Sequence, residues 1–211
     1  MGALFFNNLK IYTDYFMNGI TVFCGSSSGD KEVYLNTARS LGNALAENNI
    51  KLIYGGASVG LMGAVADGAL EAGGTVIGVL PRFLEAKEIA HEGLSELVLV
   101  DSMHERKTRM NELSEGVIAL PGGFGTLEEF FEMLTWAQLG LHKKPMALLN
   151  VNHFYDTLLT FMGNMVNQGF LKHENLKMIL AEENIQTLLE AMKTYSAPEI
   201  VKWIDWISRV K

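Results

Sequence analysis

The chain has 211 residues, 48% of them hydrophobic and 19% charged, which fits an ordinary globular protein with enough length for one sizeable core. A net charge of −7 argues against binding nucleic acid by phosphate neutralisation, which needs a basic excess, yet leaves room for a small anionic ligand. The single cysteine, Cys24, cannot form an internal disulfide, the Cys/His spacing of a zinc site is missing, and no apolar run approaches the ~20 residues that span a bilayer.

Residues 1–18 are apolar and aromatic, but Asn7, Asn8, Lys10 and Asp14 interrupt them. No charged start precedes a clean apolar segment, so the stretch reads as an appendage rather than a signal peptide, with Met17 as an alternative start and a cytoplasmic location as the default. The first strand is Ile20 to Phe23, running into a small-residue loop from Cys24 to Asp30. A helix follows over about 31–48, with Leu35, Ala38, Leu41 and Leu45 at helical spacing. The second strand, Lys51 to Tyr54, leads into Gly55-Gly56-Ala57-Ser58-Val59-Gly60-Leu61-Met62-Gly63 and a small-residue helix that stops at Gly73-Gly74. The third strand, Thr75 to Leu80, ends at Pro81, and residues 82–96 read as irregular. After a fourth strand, Leu97 to Val100, Ser102 and Glu105 make a capping-box pattern that opens a helix carrying Arg106, Lys107 and Arg109. The fifth strand is Val117 to Leu120 and the sixth Pro145 to Leu149. From about 153 the chain reads as mainly helical, with room for a short strand near Met178-Ile179-Leu180.

Short apolar strands alternating with helices set the expected fold. It is a single α/β domain over 19–198, a Rossmann-like doubly wound parallel sheet with helices on both faces. Residues 199–211 are expected as a helical extension, because Ile200, Trp203, Ile204 and Ile207 fall at helical spacing; that pattern suits a docking helix better than a partner site. Ligands of such sheets bind outside the carboxyl ends of the strands. The loops 24–29, 55–63 and 121–126 sit there and are expected to face one crevice.

The chain is organised around Pro121-Gly122-Gly123-Phe124-Gly125-Thr126-Leu127-Glu128-Glu129. Strand, Gly-rich turn and helix together offer backbone N–H groups to a phosphate, and Thr126 is the expected N-cap. No Gly-Lys-Ser/Thr follows, so a P-loop is not expected. Gly55 to Gly63 lacks G-x-G-x-x-G, which makes a dinucleotide site a poor fit; on its residues alone it is balanced between close packing and ligand contact. Taken singly, Arg106 and Lys107 read as a solvated face with a Glu105–Arg109 pair worth ~0.2–0.5 kcal/mol. The helix dipole alone accounts for Glu128 and Glu129. His104, His142, His153 and His173 read as surface residues, and Cys24 as buried packing.

Together these pieces resemble the LOG ("lonely guy") family of cytokinin riboside 5′-monophosphate phosphoribohydrolases. Pro121 to Glu129 is similar to its PGGxGTxxE signature. Phe23-Cys24-Gly25-Ser26-Ser27, Tyr54-Gly55-Gly56, Gly60-Leu61-Met62-Gly63, Met103-His104-Glu105-Arg106-Lys107 and Thr135-Trp136-Ala137-Gln138-Leu139-Gly140 follow in the family's order over about residues 18–198. Ala57 departs from the family's glycine run. The resemblance implies hydrolysis of the N-glycosidic bond of a nucleoside 5′-monophosphate, a cytokinin riboside 5′-monophosphate or AMP, through an oxocarbenium-like transition state. It implies Arg106 and Glu129 as catalytic residues. It implies substrate contacts from Glu88, Lys107, Gly122, Gly123, Phe124, Gly125, Thr126, Leu127, Glu128 and Thr135, with Gly25, Ser26 and Gly56 from the other loops. No metal or cofactor, no nucleic acid and no membrane are implied, and the assembly is a homodimer with sites near the interface. Relatives often carry the label lysine decarboxylase, a pyridoxal phosphate chemistry that needs a Schiff-base lysine; no lysine here stands in such a context. The alternative is a nucleotide sensor of the same fold without turnover, and a third reading is transfer of the ribose phosphate to another acceptor.

Overall fold

The computed structural model describes residues 17–84 and 90–198. Among them, seven strands form one sheet: β1 (Gly19–Phe23), β2 (Lys51–Tyr54), β3 (Val76–Pro81), β4 (Glu96–Val100), β5 (Gly116–Ala119), β6 (Met146–Leu149) and β7 (Ile179–Glu182). Every pairing is parallel, in the order β4-β3-β2-β1-β5-β6-β7. The helices are α1 (Glu32–Glu47), α2 (Gly60–Glu71), α3 (Met103–Leu113), α4 (Phe124–Gln138), α5 (Asp156–Asn167), α6 (His173–Leu176) and α7 (Ile185–Lys193).

The apolar runs between Gly and Pro are the central strands, buried on both faces because helices cover both. Alternation along each strand divides the core. Ile118 and Leu120 face the layer of α1, α2 and α7, while Val117 and Ala119 face α3, α4 and α5. β7 closes one edge and is half-exposed, so its Ile-Leu-Ala-Glu sequence carries only a weak strand signal. The doubly wound parallel sheet expected from the sequence is therefore present.

The winding positions the site. From β1 in the middle the chain runs outward to β4, then returns to lay β5 along the other side of β1, with Phe23 opposite Ala119. This reversal opens a crevice over the carboxyl ends of β1 and β5. Thr21, buried in β1, donates its hydroxyl to Met110 O at 3.0 Å and so pins the end of α3 to the sheet.

The capping of α3 follows its sequence, with a shift. Ser102 Oγ accepts the Glu105 N–H at 3.1 Å, and Glu105 Oε2 accepts the Asp101 N–H at 2.7 Å. Glu105 is thus engaged at the cap, and Arg109 pairs with Glu112 at 3.0 Å in place of the expected Glu105 partner. Met17, assigned to the appendage by the sequence, packs into the core. Residues 1–16 of that appendage, Glu88 and the 199–211 extension lie outside the described residues. Among the described residues no helix is long and apolar enough to cross a membrane.

Candidate active site

Three loops meet over the β1–β5 junction. The Gly25 N–H donates to Pro121 O at 3.1 Å, and the Leu61 N–H donates to Gly25 O at 3.1 Å. The loop after β1 is thereby stapled between the other two, so the three loops lie side by side. Gly60 makes this possible: its φ is +58°, and a Cβ there would lie 2.3 Å from Ser26 O. A cleft of about 330 Å³ opens between the first loop and the Gly-rich turn, walled by Ser26, Tyr34, Gly122, Gly123 and Phe154.

The turn itself is tightly built. The Leu120 N–H continues the strand pairing to Phe23 O at 2.9 Å. The Tyr155 hydroxyl, kept protonated by burial, donates to Leu120 O at 2.6 Å and props the end of β5. α4 then starts with Gly123 as N-cap and no side-chain cap bond. Thr126, expected as that cap, instead lies inside the first turn and is buried. The helix begins two residues earlier than Thr126, whose hydroxyl lies with Gly25 N where a Gly122 Cβ would sit, at 2.1 and 2.9 Å, so a side chain at Gly122 has no room. Gly123 and Gly125 face open space, with nothing within 4 Å of an added Cβ, and Phe124 is 94% exposed. Leu127 and Glu128 follow in the same turns, half-buried and exposed. A helix start lacking a side-chain cap offers its first N–H groups, at the positive end of the dipole, to an anion.

Beside the turn, α3 and α4 bring Arg106 and Glu129 together, with Nη1 4.0 Å from Oε1 and side-chain exposures of 6% and 13%. Arg106 Nη2 donates to Gly55 O at 3.1 Å. Its Nε is buried with no partner among the described residues. The glycine at 55 leaves room for this contact, since a Cβ there would meet Arg106 Nη2 at 2.1 Å and displace the guanidinium. The loop residue at the pair is therefore Gly55, while Gly56, with φ +89°, accepts the His91 N–H at 2.9 Å. Cys24 is buried near this pair. Burial first, and the Glu129 carboxylate second, push its thiol pKa up while Arg106 opposes them. Iodoacetamide at pH 8 is expected to leave Cys24 unmodified in the folded protein and to label it after unfolding; fast labelling of the native chain would contradict this burial.

Lys107 points to α4 rather than to the turn. Its Nζ lies 2.5 Å from Glu128 Oε1 and 2.5 Å from Glu132 Oε2. Burial acts to lower its pKa, but donation to the two carboxylates and their negative charge outweigh that and hold it above the ordinary lysine value. Thr135 is exposed further along α4 and donates to Phe131 O at 2.7 Å. His104, His153 and His173 are at the surface, as expected. His142 is half-buried, 3.0 Å from Met133 O, and burial lowers its pKa. Sequence reasoning missed Gly55, Tyr155 and the tie from Lys107 to Glu132. Only the last carried a signal, two carboxylates four residues apart at the start of the helix that follows the Arg-Lys pair.

This is the architecture of Rossmann-like α/β proteins that hold a ligand at the helix start beside the switch strand. Comparison with known proteins narrows the class. A family profile described as "Possible lysine decarboxylase" matches residues 62–192. A cytokinin riboside 5′-monophosphate phosphoribohydrolase of Arabidopsis thaliana is 44% identical over 191 residues, covering 90% of this chain and 88% of its own. The protein of that name from Rhodococcoides fascians is 46% identical over 176 residues, covering 83% and 89%. The chain belongs to this LOG family of phosphoribohydrolase enzymes. Among solved structures, the molybdenum cofactor carrier protein of Chlamydomonas reinhardtii shares the fold, with a TM-score of 0.64 at 24% identity over 83% of this chain and 95% of that one. The decarboxylase label raises pyridoxal phosphate chemistry, which requires a lysine amine free to form a Schiff base. Lys107, the buried lysine at this site, is locked as an ammonium between two carboxylates, so the site does not fit that cofactor.

Proposed function

We propose that the protein hydrolyses the N-glycosidic bond of a nucleoside 5′-monophosphate, a cytokinin riboside 5′-monophosphate or AMP, to free base and ribose 5-phosphate. The observation that carries this reading is the buried Arg106–Glu129 pair beside an open, Gly-rich helix start. In the reaction, water adds its oxygen to the sugar C1′, the C1′–N bond breaks, and the water's proton goes to the departing base. Glu129 stabilises the positive charge at the sugar and activates the water. Arg106 orients the ligand and assists departure of the base. Phosphate is held at Gly122 to Leu127 by backbone N–H groups and the Thr126 hydroxyl, with Gly25 and Ser26 across the cleft, and Phe124 and Thr135 add further contacts to the substrate. Phosphate and Glu129 repel, so they occupy opposite ends of the ribose.

The decisive experiment incubates the protein with AMP and with an N6-prenylated analogue, and looks for free base and ribose 5-phosphate. Tight binding of both without release of base would overturn hydrolysis in favour of a nucleotide sensor. Gly125→Ala separates fold from function. At this position in the first turn of α4 a methyl group meets no neighbour, so alanine is expected to stabilise the helix by about 0.5–1 kcal/mol. In ligand space, the same methyl is expected to raise KM about tenfold, equivalent to ~1.4 kcal/mol. An unchanged KM would move the phosphate away from this turn.

The same proposal includes a homodimer with sites near the interface. Phe124, Leu139 and Leu141 on and after α4, with Phe161 and Phe170 on and after α5, are exposed and support an apolar contact face. Sedimentation as a 23.3 kDa monomer at micromolar concentration would remove it. A cytoplasmic setting completes the reading, supported by the single buried cysteine.

A further inference from the structure

We propose that Lys107 is a positioning residue: its ammonium, held between Glu128 and Glu132, fixes the start of α4 and so sets Glu129 against Arg106. This rests on the function proposed above. Three observations converge on it. First, Lys107 is saturated with negative charge, since two carboxylates at 2.5 Å surround one buried ammonium. A phosphate placed there would meet Glu128 and Glu132 as much as the lysine, which makes Lys107 a poor anion anchor. Second, α4 begins without the usual supports. Its N-cap is Gly123, no side chain caps it, no acid stands in its first turn, and Gly125 follows. Such a turn frays unless tertiary contacts hold it. Third, the geometry is a strut. Arg106 and Lys107 are consecutive on α3, and Glu129 lies between Glu128 and Glu132 on α4. Lys107 reaches both ends of one helical turn while Arg106 faces the glutamate within it. His104 and Trp136 extend the α3–α4 contact edge-to-face, their ring centres 6.3 Å apart.

The test compares wild type, Lys107→Met, Glu132→Gln, the double variant and Lys107→Arg, with AMP or the N6-prenylated analogue as substrate. Misplacing a catalytic group by about 1 Å costs roughly a hundredfold, so each single variant is expected to lose about tenfold to a hundredfold in kcat. The loss is expected mainly in kcat, with KM raised by less than about tenfold as the phosphate turn at the start of α4 loosens. The double variant is expected to be no worse than Lys107→Met, as members of one strut do not add, and Lys107→Arg to restore part of kcat. Without ligand, amide exchange over Leu127 to Phe130 is expected to quicken about tenfold in Lys107→Met and in Glu132→Gln. A KM raised by more than about tenfold in Lys107→Met, with Glu132→Gln indistinguishable from wild type, would make Lys107 a substrate contact and overturn the proposal. Unchanged exchange in both variants overturns it as well. Wild type that releases no base defeats the hydrolase reading instead, and the exchange arm then decides the strut by itself. Glu132→Gln, a change at a partly exposed carboxylate, keeps the test open should Lys107→Met fail to fold.

Discussion

Replacing Glu129 with glutamine is expected to lower kcat for base release by about 10²- to 10⁴-fold, the range for loss of a positioned acid–base group, with nucleotide affinity nearly unchanged. Glutamine keeps the shape of the side chain and most of its packing at a position only 13% exposed. What it removes, in the proposed reaction, is the negative charge facing the sugar cation and the basicity that draws a proton from water. Neither acts strongly on the neutral ground state, so the loss belongs to the transition state and appears in kcat. Equilibrium binding of AMP and single-turnover release, measured on one preparation, check both halves. Turnover above a tenth of wild type would remove Glu129 from the chemistry and return attention to the turn alone.

Displacing Arg106 is expected to be nearly as damaging, and Gly55→Ala does so without touching the arginine. The new methyl would stand 2.1 Å from Nη2 and 3.1 Å from Met62 Sδ, so the guanidinium must leave Gly55 O. Its Nε has no partner among the described residues, so the displaced group gains nothing locally and carries a buried charge with fewer hydrogen bonds. A loss of about 10²- to 10³-fold in kcat/KM is expected, comparable to removing one preorganised donor, with a drop in stability of about 1–3 kcal/mol from the lost bond and the overpacking. Arg106→Ala serves as the reference. If Gly55→Ala keeps wild-type kcat/KM, the carbonyl contact is incidental to catalysis.

Much of this was legible before any coordinates. The central strands are legible because burial on both faces demands apolar runs, and a Gly or Pro flanks each one. Ser102 and Glu105 marked the start of α3 because capping is local chemistry. Thr126 shows the limit of the same reasoning. A threonine at a helix start is a good cap in isolation, but α4 begins two residues earlier, at Phe124, which leaves Thr126 buried inside the first turn. Arg106 shows another limit. α3 is polar overall, and nothing in its spacing says that one arginine is buried; the family resemblance, not the pattern, singled it out. Gly55 and Gly56 look alike in the sequence, and only the guanidinium against Gly55 O distinguishes them. β7 was faint because an edge strand buries only part of its surface.

The stapling of Gly25 between Pro121 and Leu61 has a consequence for how the protein comes to exist. The groups assigned to the substrate lie on segments that meet only when β1 and β5 align, residue 23 against residue 119. Nothing local brings them together, and a long loop must close first, at an entropic cost that grows with its length. The Gly-rich turn is therefore no transferable module. A peptide spanning residues 117–138 would lack the Gly25 brace, the Tyr155 prop and the α3 strut, and would have little to hold an anion with. During synthesis the first loop emerges long before its partner, so competence for ligand arrives late and all at once. A nucleotide that binds only the finished crevice then reports completion of the fold, and adds its binding energy to the step that joins the two halves of the sheet.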